Sequence, residues 1–525
     1  MNQIFLQIPY IRPRPGSSYK MATWPLQFAV FAVRSGIKAQ RSAFPPIENR
    51  KLCSVCGINI RVSRLGVCVI SRGNMPVHFL ACVLSVLLTG CAGYETQALK
   101  DHPVAPASLA RLMADSRSMP FPVLSAHRFD PSDGLDGIEV AMLAVVNNPD
   151  LKIARDDAAV AHAQAFSAGL LPDPQLALSR DLSNTGSDAA FSFGLSYDIN
   201  ALLLRSSVHG AAQSDARKTD LNLLWQEWQV ISQARLLFIK LVQAHKLMAV
   251  LDDTQNLFAD RVRRTQSALA RGLLTSDAVT PNLAALQDVA RQVFELKRQI
   301  SQNTHELNAL LGLASGTVLD LRESAGFAEI DAAPVEAALS DLPRRRPDLI
   351  ALEAGYQAQD QRYRGALLAQ FPALNVGLTH ARDSSGIYSN AVGITLSLPF
   401  LNRNRGNIAI EKATRQKLYD EYQQRLQASR NDVHRLLAEQ ALNIGQLAQI
   451  DIAISDLGAS LARSDAAFRA NDVDALAYAS ARAALLAKQV ERINLQQAVQ
   501  EQRIALHTLL GPDISAQHSS GTSRQ

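Results

Sequence analysis

The sequence predicts a mostly α-helical chain with a β-barrel contribution, made of two tandem repeats that each join long coiled-coil helices to two strands. Three observations lead there: a phrase written twice about 200 residues apart, a run of 61 residues without Gly or Pro, and two pairs of short segments in which apolar and small residues alternate.

The repeated phrase is "NNPDL" at Asn147 to Leu151 and "RRPDL" at Arg345 to Leu349, an offset of 198. "PQLALS" from Pro174 meets "PALNVGLT" from Pro372 at the same offset. After one residue of slippage, "FGLSYDI" (Phe193 to Ile199) faces "VGITLSL" (Val392 to Leu398), "RGLLT" (Arg271 to Thr275) faces "ANDVD" (Ala470 to Asp474), and "LLG" at Leu310 faces "LLG" at Leu509. A register held across helical and strand-like stretches is the mark of duplication.

Ala211 to Arg271 lacks Gly and Pro and is rich in Leu, Ala, Gln and Arg, a composition that favours helix over about 90 Å at 1.5 Å per residue. A turn at Gly272 returns the chain through a second helix to about Leu311, with Thr275 or Ser276 expected to cap it. Pro281 falls in its first two turns, where a proline does least damage. The second half repeats the plan: no proline interrupts Asn407 to Gly511, and Asn471 stands where Gly272 stood. Gly and Asn most readily take the left-handed conformation that ends a helix. Leu224, Trp228, Ile231, Leu237, Leu241 and Leu251 recur at threes and fours, a stripe expected to pack as core.

Between the helices of each half, "PQLALSR" and "AFSFGLSYDI" flank one turn-forming stretch, and "PALNVGLTHA" and "NAVGITLSL" flank another, so each pair reads as a hairpin. Phe191, Phe193, Leu195, Tyr197 and Ile199 alternate with Ser192, Gly194, Ser196 and Asp198. Apolar-out, polar-in strands of about ten residues are what a transmembrane barrel uses. Four strands cannot close, and an open edge cannot sit in lipid. Closure then needs further copies: two give about eight strands with a filled interior, three give about twelve with room for a channel.

The formal charge of +5 is unevenly spread. Residues 1–74 hold 11 Lys/Arg and one acid, which leaves 42 basic against 47 acidic residues in the remainder. The folded part is therefore acidic, and nucleic-acid binding, which needs a basic face, is not expected. All five cysteines, Cys53, Cys56, Cys68, Cys82 and Cys91, lie in the first 91 residues. Cys53 and Cys56 have no second pair at zinc-ligand spacing, so no metal site is expected. The apolar run from Phe79 to Leu88 is too short to span a bilayer and reads as the core of a signal peptide. Arg64 or Arg72 would serve its basic region, which leaves the start of translation open within residues 1–74. "LTGC" (Leu88 to Cys91) resembles the lipobox of bacterial lipoproteins, which implies a covalent lipid on Cys91 and no other cofactor. Ala92, rather than Asp, after that cysteine resembles lipoproteins sent on to the outer membrane.

Together with "LPRRRPDL" (Leu342 to Leu349), "LPFLNRNRG" (Leu398 to Gly406) and "ARGLLTSDAV" (Ala270 to Val279), this plan resembles the TolC-like outer-membrane factor family from Gly137 to Gly511. "LNRNRG" is similar to the version in its CzcC-like, metal-efflux branch. The resemblance implies a homotrimer whose twelve-stranded barrel in the outer membrane continues as a twelve-helix tunnel across the periplasm. It implies a passive duct for drugs, metal ions or other small solutes, docked by a periplasmic adaptor and fed by an inner-membrane pump. It places the adaptor contact at Gly272, Leu273, Thr275, Ser276, Asn471, Val473 and Asp474. Ala477 and Ser480 stand where some members carry an acidic gate, which leaves Asp277, Asp472 and Asp474 as candidate substitutes.

The expected organisation is a leader over 1–90, a lipid-anchored linker over 91–136, repeats over 137–320 and 331–513, and a disordered tail over 514–525. An enzyme is not expected: "HELNA" from His305 has Ala309 where the second zinc-binding His of a zincin would fall, and neither a nucleophile elbow nor a phosphate loop occurs. The rival is a lipid-anchored periplasmic coiled-coil adaptor or scaffold, which would gather its strands into one compact soluble domain.

Overall fold

The computed structural model describes residues 94–101, 114–181, 189–323, 332–470 and 475–512. The leader, all five cysteines and the tail over 514–525 lie outside them. Contacts divide the chain into Met1–Ala98 and Leu99–Gln525. The first unit is described only at 94–98, which carry no regular structure, and all that follows belongs to the second.

The first half runs α1 (Gly137–Asn147), α2 (Pro149–Gly169), β1 (Gln175–Asp181), β2 (Ala190–Asp198), α3 (Ile199–Ala270) and α4 (Ser276–Leu310). The second runs α5 (Ala332–Ser340), a single turn at Leu342–Arg345, α6 (Pro347–Leu368), β3 (Ala373–Arg382), β4 (Tyr388–Ser397), α7 (Arg405–Arg469) and α8 (Ala475–Leu510). From α2 onward the plan recurs, strand for strand and helix for helix.

Helix α3 corrects one expectation. It starts at Ile199, not Ala211, and runs unbroken through Gly210 for 72 residues, about 110 Å. A mid-helix glycine costs about 1 kcal/mol relative to alanine. Here the neighbouring helix α6 outweighs it, with Gln361 against Gly210 and Ser207 of α3 against Gly365. The second half differs: β4 ends at Ser397 and seven residues intervene before α7. In that link Arg403 and Asn404 both take left-handed backbone, φ 48° and 53°, and Asn404 Nδ2 donates to Ala366 O at 2.9 Å.

The core lies at mid-height of α3. Val140, Leu143, Phe238, Leu241, Leu307 and Leu311 are buried together, and Met142, Trp228 and Ile231 form an adjoining cluster with Phe121 and Leu124. The apolar stripe expected on α3 is therefore core: Trp228, Ile231, Leu237, Leu241 and Leu251 are buried, and Leu224 packs against them. In the second half Leu339, Leu342, Leu349, Val433, Leu436 and Leu506 do the same work.

The duplicated phrases meet at equivalent joints. Asn148 caps α2 by accepting from Leu151 N at 2.9 Å, and its Nδ2 donates to Leu310 O at 2.9 Å, at the end of α4. Arg346, its counterpart, donates through Nη1 to Leu509 O at 3.3 Å, near the end of α8. It also grips both carboxylate oxygens of Asp348 at 2.9 and 2.8 Å, donates to Ser429 Oγ at 2.8 Å, and lies over the Trp225 ring at 4.8 Å. The glycine of each "LLG" closes the joint with positive φ, 63° at Gly312 and 74° at Gly511. A Cβ at Gly312 would sit 2.5 Å from Asn147 O, and one at Gly511 2.9 Å from Arg346 Cγ. Trp228 Nε1 donates to Thr508 O at 3.2 Å and so fastens α3 of the first half to α8 of the second.

Gly312→Ala and Gly511→Ala should each cost at least about 1–2 kcal/mol from the left-handed conformation alone. Arg346→Met should cost about 3–5 kcal/mol because Asp348 stays buried without its partner. Thermal unfolding of the detergent-purified chain, read by far-UV circular dichroism, checks all three against a surface control such as Arg344→Met.

Candidate functional site

Two features of the second unit lack an explanation as core, and they lie at opposite ends of α3. One is the sheet that precedes it, the other the turn that follows it.

All four strands form one antiparallel sheet in the order β1-β2-β3-β4. Each half contributes a hairpin as expected, and the halves join through β2 and β3, with Leu195 opposite Leu378 and Tyr197 opposite Val376. Because side chains alternate along a strand, the register assigns every residue to a face. On one face stand Leu176 and Leu178 of β1, Phe191, Phe193, Leu195 and Tyr197 of β2, Leu374, Val376 and Leu378 of β3, and Val392, Ile394 and Leu396 of β4. The opposite face carries small or polar residues, among them Ser179, Ser192, Gly194, Ser196, Gly377, Thr379, Gly393 and Thr395.

The apolar face is exposed, and in β1 and β4 the opposite face is exposed as well. Leu178 is 72% exposed and Val392 71%, and in β2 Phe191, Phe193 and Leu195 are exposed while Ser192 and Gly194 between them are half-buried. Leu398, Phe400 and Leu401 continue the exposed apolar surface toward α7. A contiguous exposed apolar surface of this kind marks a place where another molecule or a membrane covers the protein. Among the described residues β1 and β4 each have one strand neighbour, which leaves both outer edges open for pairing there. The charged residues on the small-residue face of the strands are Asp181 and Asp198, and Asp198 also caps α3 by accepting from Ala201 N at 3.2 Å.

At the other end, Gly272 has φ 73°, and Leu273 N donates to Ala268 O and Gly272 N to Leu269 O, both at 2.9 Å. This is the paired-hydrogen-bond ending in which a left-handed residue satisfies the last carbonyls of a helix. Leu273 is 70% exposed. The expected cap of α4 is corrected: Thr275 occupies the N-cap position, yet its side chain makes no capping bond, and Ser276 is already the first helical residue. Asp277 is exposed in the first turn of α4, where a carboxylate suits the positive helix end. Asn471, Asp472, Val473 and Asp474 lie outside the described residues.

Beside this turn is a feature missed in the sequence. Phe468 at the end of α7 and Tyr478 at the start of α8 stack with ring centroids 5.2 Å apart and planes 11° apart. They wall a cavity of about 430 Å³ completed by Leu257, Arg261, Leu274 and Arg482. Hydrogen bonds from Arg264 hold the neighbouring Asp260 carboxyl below the usual carboxylate range. The signal was available: the second turn is framed by aromatics, Phe468 and Tyr478, which its first-half counterpart lacks.

Among the described residues one group, His127, Asp136 and Glu139, brings three potential metal-ligand atoms within 4.8 Å of one another. Asp136 Oδ1 accepts from Ile138 N and Glu139 N at 2.8 Å, and Glu139 accepts from Asp136 N at 2.9 Å and Asp130 N at 2.7 Å. The carboxylates are thus engaged as a capping box for α1. Arg235 lies near enough to Asp136 for the two charges to interact, and burial lowers its guanidinium to about 10 against the opposing pull of Asp136. That cation makes the neighbourhood poor ground for a second one.

Residues 338–512 match the sequence profile of the outer membrane efflux protein family. The chain is 24% identical over 297 residues to a probable outer membrane lipoprotein, SilC, of Salmonella typhimurium, covering 51% of this chain and 64% of that one. It is 23% identical over 280 residues to the cation efflux system protein CusC of Escherichia coli K12, covering 51% and 61%. The chain thus spans just over six-tenths of the length of these curated relatives. A crystal structure of CusC, described as forming a transmembrane channel, superposes with a TM-score of 0.60 at 19% identity over 78% of this chain and 99% of that one. The fold is that of outer-membrane channel proteins.

Tyr478→Ala should remove a stacked pair worth about 0.5–1.5 kcal/mol and loosen the tip alone. Amide hydrogen exchange should accelerate within 257–280 and 475–485, while segments at mid-height of α3, around Phe238, keep their protection.

Proposed function

We propose that this chain, whose second repeat carries an outer membrane efflux protein domain, is the exit duct of a tripartite efflux system. Three copies give twelve strands from four each, closing a barrel in the outer membrane whose α-helices continue as a tunnel into the periplasm. The observation that carries this reading is the sheet: an exposed apolar face, a small and polar reverse, and two open edges. In hydrocarbon every backbone donor and acceptor must be paired, so open edges require neighbouring copies. A lipid on Cys91 would hold the chain to the membrane from the periplasmic side. The duct has no catalytic step of its own.

Cargo is driven by the inner-membrane pump and passes without tight binding. The reverse face of the sheet lines the passage, with Asp181 and Asp198 as its charges along the strands, which favours cations over anions. The relatives named for cation efflux fit that preference. The periplasmic adaptor docks at the tip, against Gly272, Leu273, Thr275 and Ser276 from one turn and Asn471, Val473 and Asp474 from the other. Leu273 supports this, because an exposed leucine on a capped turn contributes nothing to the turn itself. Opening is a rearrangement of packed helices whose population the adaptor shifts, with Asp277, Asp472 and Asp474 as the carboxylates near the mouth.

The adaptor or scaffold reading fits the long helices and the lipid equally well. The exposed apolar face counts against it, since a soluble adaptor would leave that face in water.

The decisive experiment is single-channel conductance of the chain beginning at Cys91, with its oligomer mass measured in parallel. A conducting trimer with cation preference is expected; a soluble species that never conducts overturns the duct. Leu195→Arg should destabilise the barrel by about 2–4 kcal/mol, the cost of a cation on a lipid face at mid-membrane. Ser196→Arg, on the reverse face, should leave insertion intact and lower cation selectivity. Leu273→Asp should weaken adaptor binding at least tenfold by surface plasmon resonance and leave conductance unchanged.

A further inference from the structure

The cavity beside the tip is lined by two stripes of side chains that meet where α8 packs along α3. Leu257, Arg261, Thr265 and Ala268 recur at fours and threes on α3, and Tyr478, Ala479 and Arg482 do so on α8, so each set shares one helix face. Arg261 and Arg482 therefore reach the same space of about 430 Å³ from two different helices.

The charges around that space do not balance. Asp260 accepts from Arg264 Nε at 2.6 Å and from Arg263 Nη2 at 3.3 Å, one bond to each of its oxygens. Among the described residues neither the Arg261 nor the Arg482 guanidinium has a hydrogen-bond or ion-pair partner, and the Nε of Arg261 is buried without an acceptor. A buried donor left unpaired is costly, and two cations at one cavity repel, so an anion between them relieves both. The Thr265 hydroxyl is spent on Arg261 O and Val262 O, each at 3.0 Å, which leaves the two guanidiniums as the cationic donors. The rest of the wall suits an apolar body: Leu257, Ala268, Leu274 and Ala479 line it, and Tyr478 brings a ring already stacked on Phe468. The volume falls within the range of about 300–1,000 Å³ typical of small-molecule sites.

We propose that the tip cavity binds an aromatic carboxylate or sulfonate, with its rings against the Leu257 and Tyr478 walls and its acid group held by Arg261 and Arg482. Arginine suits such a ligand twice over, because its planar fork matches a carboxylate and its face stacks on rings. Every residue named belongs to one chain, so the site does not rest on the duct reading. The ligand touches α3, the turn at Leu274, α7 and α8 together, and its binding stabilises their packing.

The test is isothermal titration calorimetry of the detergent-purified chain beginning at Cys91 with naphthoate and, separately, with its uncharged analogue naphthamide, each corrected for titration into detergent alone. Naphthoate is expected to bind at least tenfold more tightly, and Arg261→Gln/Arg482→Gln to abolish that preference while keeping the far-UV circular dichroism of the parent chain. A second measurement needs no variant: saturating naphthoate should slow amide hydrogen exchange within 257–268 and 477–485 and leave segments around Phe238 unchanged. Equal binding of acid and amide, a preference that survives in the folded double variant, or exchange that slows only outside the tip overturns the site.

Discussion

Much of this fold depends on one buried guanidinium. Arg346 is 2% exposed and reaches a carboxylate two residues on, a hydroxyl on α7, the last turn of α8 and the indole of Trp225 on α3. A cation so deeply placed is tolerable only when its partner and its hydrogen bonds are complete. Completing them brings α6, α7, α8 and α3 to one point. The first half solves the same joint with neutral Asn148, which reaches α4 alone. The duplication has diverged in chemistry while keeping its geometry, and the charged version is the one that ties the halves together.

From that joint the chain extends in two directions with different surfaces. Mid-height is an ordinary protein core of leucines, alanines and two tryptophans. Toward the sheet the surface changes character, with aromatic and aliphatic residues on one exposed face and serine, glycine and threonine on the other. Hydrocarbon in place of water would make an exposed apolar face favourable, and would make an unpaired strand edge intolerable. Under the proposed duct, both the exposed face and the open edges of β1 and β4 would follow from that one change of solvent.

Toward the tip the helices leave the core behind and are held by local pairs. Asp260 with Arg264, Phe468 with Tyr478 and the hydrogen bonds around Gly272 each involve a few residues. Such a region opens at lower free energy than mid-height does. Few contacts have to break for the tip to rearrange.

What depends on short-range pattern can be read along the chain alone. The duplication, the long helices, the four strands and their alternation, and the left-handed turn at Gly272 are each written in spacing or in a residue type with one conformational preference. Tertiary structure decided what depends on neighbours distant in the chain. Gly210 reads as a helix boundary until α6 is seen packed beside it. Thr275 reads as a cap, yet its hydroxyl makes no capping bond. Arg346 reads as part of a motif, and its partners on α7 and α8 lie 83 and 163 residues away. The merging of two hairpins into one sheet needs the register of β2 on β3. Alternation fixes a residue's face within its own strand, but only pairing between strands fixes which residues of two halves stand side by side.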